Sequence, residues 1–220
     1  MPAIGETSAQ MALRDPDIRL MLQVRADEEG AFEELVERYQ HRLVGIMNHL
    51  VGNKEEAEDL AQEVFLRVYK ARKKYRPRSK FSTWVFTIAN NLALNSLRAK
   101  QRRPVVPLLS PQDSGAMGTG PQGQMVPDPR TGPMQKVQKV ELADRIRAAL
   151  DGLNERQKMA VVLNKFEDMN YAEIAEVMAL TTKAVKSLLS RARMNLRAAL
   201  TGYVHMDGQP VPDEADEDEE

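Results

Sequence analysis

The side chains with chemistry to offer in this sequence are cations, and they are gathered into two places. Between Val64 and Leu109 there is no Asp or Glu, yet that stretch holds Arg67, Lys70, Arg72, Lys73, Lys74, Arg76, Arg78, Lys80, Arg98, Lys100, Arg102 and Arg103. From Val177 to Met206 the segregation recurs, with Lys183, Lys186, Arg191, Arg193 and Arg197 and again no acid. A formal net charge of -1 therefore conceals two cationic surfaces balanced by acid elsewhere. Positive charge set apart in this way is the electrostatic footprint of a nucleic-acid binder. Lysine and arginine neutralise phosphates without regard to sequence. Reading a sequence needs side chains at base edges, where Arg or Lys pairs with guanine and Ser serves several bases. Lys186, Ser187, Ser190 and Arg191 are the candidates for that task.

The first basic stretch also carries amides. Thr87, Asn91, Leu94 and Arg98 share a face if the segment is one continuous helix. Hydroxyls and amides beside a basic patch suit unpaired bases, whose edges are exposed once strands separate. Asparagine is also a poor helix former, so Asn90 and Asn91 could equally break the helix. Spacing alone does not choose between the two. Trp84 could stack on a base, but its helical spacing with Ile88 favours a place in the core. No catalytic set emerges: there is no phosphate-cradling Gly loop after a strand and no Gly-x-Ser-x-Gly. The paired carboxylates sit on solvated helix faces, with no apolar pocket to tune them. The chain has no cysteine, and His41, His49 and His205 form no metal-ligand spacing, so no metal or cofactor is expected.

These side chains must be positioned by helices. Phe32, Leu35, Val36, Tyr39, Leu43, Ile46, Met47 and Leu50 recur at the three-and-four spacing of one helix face, and Gly52-Asn53 closes it. A second helix starts in acid (Glu55, Glu56, Glu58, Asp59) and ends in base (Lys70 to Lys74), both favourable to the helix dipole. Its buried stripe is Ala57, Leu60, Ala61, Val64, Phe65 and Val68. Pro77 interrupts, and Ser82 is the expected N-cap of a third helix through Trp84, Ile88 and Leu92. Later come an amphipathic helix (Leu142, Ile146, Ala149, Leu150) and one starting after Asn154. Asn154 with Gln157, and Asn170 with Glu173, fit capping boxes. A short helix Tyr171–Met178, a turn Ala179-Leu180-Thr181 and a basic helix from Thr182 to Leu200 have the helix-turn-helix plan. Val185, Leu189, Ala192 and Leu196 line its inner face.

Between the two groups of helices, residues 104–133 hold five of the 12 glycines and seven of the 12 prolines, without apolar periodicity, and read as a flexible linker. Residues 207–220 carry eight acids and no base and read as a disordered tail. No apolar run approaches a membrane span, and the first residues lack the basic start and apolar core of a secretory signal. No alternating β-pattern occurs. The expectation is an all-α, cytoplasmic protein of two small helical domains joined by a Gly/Pro-rich tether.

Several motifs together resemble a known family. Ala31 to Tyr39, Asp59 to Tyr69 and Phe81-Ser82-Thr83-Trp84-Val85-Phe86-Thr87-Ile88-Ala89-Asn90-Asn91 resemble region two of a bacterial sigma factor. Leu153 to Gln157, Tyr171 to Met178 and Ala184 to Arg193 resemble region four. With no region-three domain between them, the layout is similar to the extracytoplasmic-function (ECF) group of the sigma-70 family. The resemblance implies an extension over residues 1–25, region two over 26–103, a linker over 104–135, region four over 136–204 and a tail over 205–220. It implies docking on the clamp of the RNA polymerase beta-prime subunit through Asp59, Gln62, Glu63 and Leu66, and a further contact with the beta flap. It implies capture of the melted minus-ten element of a promoter by Asn91, with Lys80, Thr87, Arg98, Arg102 and Arg103 beside it. Lys183, Lys186, Ser187, Ser190, Arg191 and Arg193 would read the minus-35 duplex. The implied function is promoter-specific transcription initiation without catalysis of its own, under control of an anti-sigma factor.

Two residues depart from the pattern: Leu188 stands where many relatives carry a polar residue, and Lys183 where many have Gly. The competing reading from the residues is a stand-alone helix-turn-helix regulator, against which the polymerase-docking motif speaks. An enzyme comes third, for want of any acid/base or metal set. The acidic tail is either a solubilising end or a weak competitor of DNA for the basic helix Lys186 to Arg197.

Overall fold

The computed structural model describes residues 10–11, 14–102, 142 and 145–201, and among them there is helix and no strand. The expected linker and tail lie outside these residues, as does Arg103. The first bundle begins with α1 (Pro16–Ala26), in the segment read from sequence as an extension. Asp15 caps it, accepting from the Asp17 and Ile18 amides, and Pro16 takes the first helical position, where its missing N–H costs nothing. Ile18, Leu20, Met21 and Val24 are buried, so α1 is a wall of the bundle.

Helix α2 (Ala31–Val51) buries Leu35, Tyr39, Leu43, Ile46, Met47 and Leu50, while Phe32 and Val36 flank the core. It ends at Gly52, whose φ of 71° suits a residue without Cβ. Asn53 then caps α3 (Lys54–Ala71) by accepting the Glu56 amide at 2.8 Å. The acid-first, base-last order predicted for α3 is observed, and a 3-10 turn (Arg72–Lys74) follows.

Helix α4 (Phe81–Arg102) runs unbroken through Asn90 and Asn91. Its cap differs from expectation. The helix starts at Phe81, which places Ser82 inside the first turn, and the Phe81 amide donates instead to Asp15 Oδ2 at 3.1 Å. A carboxylate remote in sequence does the work assigned to a local hydroxyl, because α1 is packed against the start of α4.

The second bundle comprises a helical stretch over 145–151, α5 (Glu155–Lys165), α6 (Tyr171–Met178) and α7 (Thr182–Leu200). Both capping boxes form: Asn154 with Gln157, and Asn170 with Glu173. Ala179, at φ 52°, turns the chain between α6 and α7, and Thr181 caps α7 through the Ala184 amide at 3.2 Å. Val185, Leu189 and Ala192 are buried and Leu196 partly so, as the spacing predicts. Ile146 instead faces outward at 38% exposure. The two bundles pack on each other, α4 against α6 and α2 against α5, over one contiguous apolar core.

Candidate nucleic-acid and polymerase interfaces

On α3 the buried stripe of Ala57, Ala61, Val64 and Val68 turns the opposite face to solvent. Asp59, Gln62 and Leu66 are exposed there, and Glu63 is half-buried. Leu66 is 51% exposed and Tyr69 43%, a large apolar investment for a surface. Glu63 accepts from Arg67 at 2.8 Å, one turn on, and that guanidinium holds its carboxyl below the ordinary range. Tyr69 is held by two neighbours, Phe32 at 4.9 Å between centroids and the Arg72 guanidinium 3.8 Å from its ring centre. Sequence reasoning missed Tyr69 and Arg72 as members of this face. The signal was present in an apolar residue falling off the buried stripe. The result is an apolar centre edged by Asp59 and Glu63 toward the start of α3 and by Arg67 and Arg72 toward its end, suited to a protein partner.

The second face belongs to α4 and the loop before it. Asn91, Arg98 and Arg102 are exposed on α4, and Lys80 is exposed at its start. Asn90, by contrast, is 3% exposed. Thr87 donates its hydroxyl to the Thr83 carbonyl at 2.8 Å, so its donor is engaged within the helix. A cleft of about 450 Å³ opens beside this face, lined by Lys74, Tyr75, Arg76, Arg78, Trp84 and Glu176 among others. Trp84 packs on Tyr75 (4.8 Å) and Phe81 (5.8 Å), as its spacing predicts, and also walls the cleft. An aromatic wall among cations is suited to an unpaired base and its phosphates. Tyr75 itself is buried, its hydroxyl finds no partner among the described residues, and burial pushes its ionisation far up.

The third face is the outer side of α7. Lys183, Lys186, Ser190, Arg191 and Arg193 are exposed and Ser187 is half-buried beside them. Arg193 donates to the Tyr171 hydroxyl at 3.0 Å, which ties the basic helix to the first helix of the motif. The inner face is held by Val185, Leu189 and Ala192, so the cations cannot turn inward. A helix of 19 residues held in this way can enter a major groove. Among the described residues no group of three His, Asp or Glu side chains could hold a metal ion. No helix there is long and apolar enough to cross a membrane.

Two independent matches fall on these two bundles. Residues 35–103 match Sigma-70 region 2, and residues 143–196 match Sigma-70, region 4. The chain is 31% identical to the RNA polymerase sigma-H factor of Pseudomonas aeruginosa, over 86% of its own length and 96% of the relative's. It belongs to the extracytoplasmic-function group of the sigma-70 family. The ECF sigma factor SigW of Bacillus subtilis is 30% identical, over 81% of this chain and 93% of that one. Among solved structures, CnrH in complex with the cytosolic domain of CnrY shares the fold, with a TM-score of 0.61 at 23% identity, over 84% of this chain and 97% of that one. This sigma factor is thus a promoter-recognising initiation factor, with both of its DNA-facing regions present.

Proposed function

We propose a division of labour among the three faces of this sigma factor. The α3 face, through Asp59, Gln62, Glu63 and Leu66 with Tyr69 added, docks on the beta-prime clamp of core RNA polymerase. Helix α4 holds the melted minus-ten strand: Asn91 takes a flipped base, and Lys80, Thr87, Arg98, Arg102 and Arg103 line the path of its phosphates. Helix α7 reads the minus-35 duplex through Lys183, Lys186, Ser187, Ser190, Arg191 and Arg193, while the second domain also meets the beta flap. The working units are residues 26–103, with α1 completing their core, and 136–204, joined by 104–135 and followed by the tail 205–220. The factor acts in the cytoplasm as a binding and strand-opening subunit without catalysis, and an anti-sigma protein is its expected off-switch.

The observation that carries this reading is the separation of one face with an exposed apolar centre, Leu66 and Tyr69, from two cationic ones. Asn91 stands exposed on a continuous helix while its neighbour Asn90 is buried. The test is transcription in vitro with purified core polymerase, from the promoter of the factor's own operon. A start site that needs the protein and vanishes with Asn91→Ala is expected. A start site unchanged by Asn91→Ala would remove that residue from strand capture.

A further inference from the structure

Helix α4 sets its strand-facing side chains in one row and loses its core support part-way along them. Asn91, Arg98 and Arg102 follow one another at seven and four residues, so they share a face, and all three are exposed. Leu92 and Ala93 are the last buried residues of the helix. From Leu94 to Arg102 no described side chain is buried, so the turns that carry Arg98 and Arg102 have no apolar anchorage. Helix ends with few buried contacts are the first to open.

What holds these turns is polar and lies on their other side. Ser96 and Lys100, one turn apart, sit at the back of α4, away from the row of Asn91, Arg98 and Arg102. Ser96 Oγ donates to Glu56 Oε1 at 2.6 Å, and Lys100 Nζ donates to Glu56 Oε2. Glu56 belongs to the first turn of α3, where Asn53 accepts its amide at 2.8 Å. Partial burial works against its charge, but the Lys100 and Ser96 bonds prevail and hold its carboxyl below the ordinary range. A lone exposed ion pair would count for little in water. Here the carboxylate side chain is only 23% exposed, and its two oxygens hold two successive turns of the neighbouring helix. That fixes the rotation of the helix end as well as its position.

We propose that Glu56 is a positioning residue for strand capture: by holding Ser96 and Lys100 at the back of α4, it sets the reach and rotation of Arg98 and Arg102 toward the phosphates of the strand that Asn91 takes. Lys100, by the same contact, is engaged in the fold rather than on the strand. This rests on the reading of α4 as the strand-binding helix.

Glu56→Ala separates positioning from simple electrostatics, because the two predict opposite signs. By charge alone, removing an acid and freeing Lys100 would tighten binding to a polyanion and steepen its salt dependence. Loss of positioning weakens binding and makes the salt dependence shallower, since Arg98 and Arg102 no longer meet phosphates together. The probe is a single-stranded oligonucleotide with the minus-ten sequence from the promoter of the factor's own operon. It is titrated over a range of salt against holoenzyme formed at saturating core polymerase. Glu56→Ala should bind about three- to tenfold more weakly, as when the end of α4 is competent for about a third to a tenth of the time. Glu56→Gln, whose amide oxygen can still accept from Ser96, should fall between. Asn53 caps the backbone amide, so neither replacement removes the start of α3. Hydrogen exchange on the full chain should show amides 96–102 exchanging faster in Glu56→Ala, while those of Phe86 to Ala93 keep their protection. Glu55→Ala, which removes an exposed acid next door, is the charge control and should leave binding unchanged. Equal or tighter binding by Glu56→Ala, or unchanged exchange at 96–102, overturns the proposal if Asn91→Ala weakens binding in the same assay. If Asn91→Ala binds as well as the natural chain, the strand-binding reading of α4 falls and this proposal with it.

Discussion

Asp15 is the residue whose replacement should reveal most about how the strand-binding helix is held. Its Oδ1 caps α1 through the Asp17 amide (2.9 Å) and the Ile18 amide (3.4 Å), while its Oδ2 accepts from the Phe81 amide at the start of α4 (3.1 Å). Asp15→Ala removes both. The lost cap costs about 1 kcal/mol. The Phe81 amide, beside a fully buried ring, loses a charged acceptor at a further cost of about 1–3 kcal/mol. The sum, about 2–4 kcal/mol, corresponds to a fall in Tm of about 5–15 °C for a chain of this size. Asp15→Asn separates the two parts, because the amide oxygen can still cap α1 while its NH₂ group cannot accept from Phe81. It should cost about half as much. Thermal and urea unfolding followed by Trp84 fluorescence is the assay, since this is the only tryptophan and it packs on Phe81. If Asp15→Asn unfolds together with the natural chain, the bond across the two helices contributes nothing and the argument is wrong.

Other outcomes follow from the same geometry. Leu66→Asp, at a position 51% exposed, should weaken binding to core polymerase at least about tenfold while leaving Tm unchanged, as read by a binding titration beside a melt. Lys186→Ala and Arg191→Ala should each cost about 1–3 kcal/mol on minus-35 duplex if they meet base edges, with discrimination relaxed at one position. A uniform loss across sequences with a shallower salt slope would assign them to phosphate instead. His49 gives a pH dependence. Burial, then Lys158 and Arg147, push its pKa below 6.5, against a smaller opposing pull from Asp151, and the ring rests on Phe166 at 4.6 Å. Because the unfolded chain binds this proton more readily, the contribution is present above about pH 6.5 and is lost as pH falls through the folded value. Urea midpoints should therefore drop on acidification, and His49→Gln should flatten that component.

Much of the fold is legible in the sequence. The helix-turn-helix from Tyr171 to Leu200 follows from local chemistry: a capping box at Asn170, an αL residue at Ala179 and an apolar stripe on α7. The acid-to-base gradient of α3 and the stop at Gly52 are equally local. Helix α1 was missed although it has local signals, an Asp-Pro start and Ile18, Met21 and Val24 at helical spacing. Its apolar stripe is short, and it becomes a wall of the bundle only through what it packs against.

Residue types and their spacing determine which segments become helices and which faces are apolar or cationic, since capping, dipole and periodicity act within a few residues. What the neighbours do to those faces is decided only by packing. Sequence placed the cap of α4 on Ser82, whereas the fold supplies Asp15 from 66 residues away. Sequence left open whether Asn90 and Asn91 break the helix, whereas α4 runs on through both, with Asn90 buried under α6 and Asn91 exposed. The pairing of Lys80 with Glu173 and of Arg42 with Glu167 has no local signal at all. Charges attract through space, and only the tertiary structure says which distant ones meet.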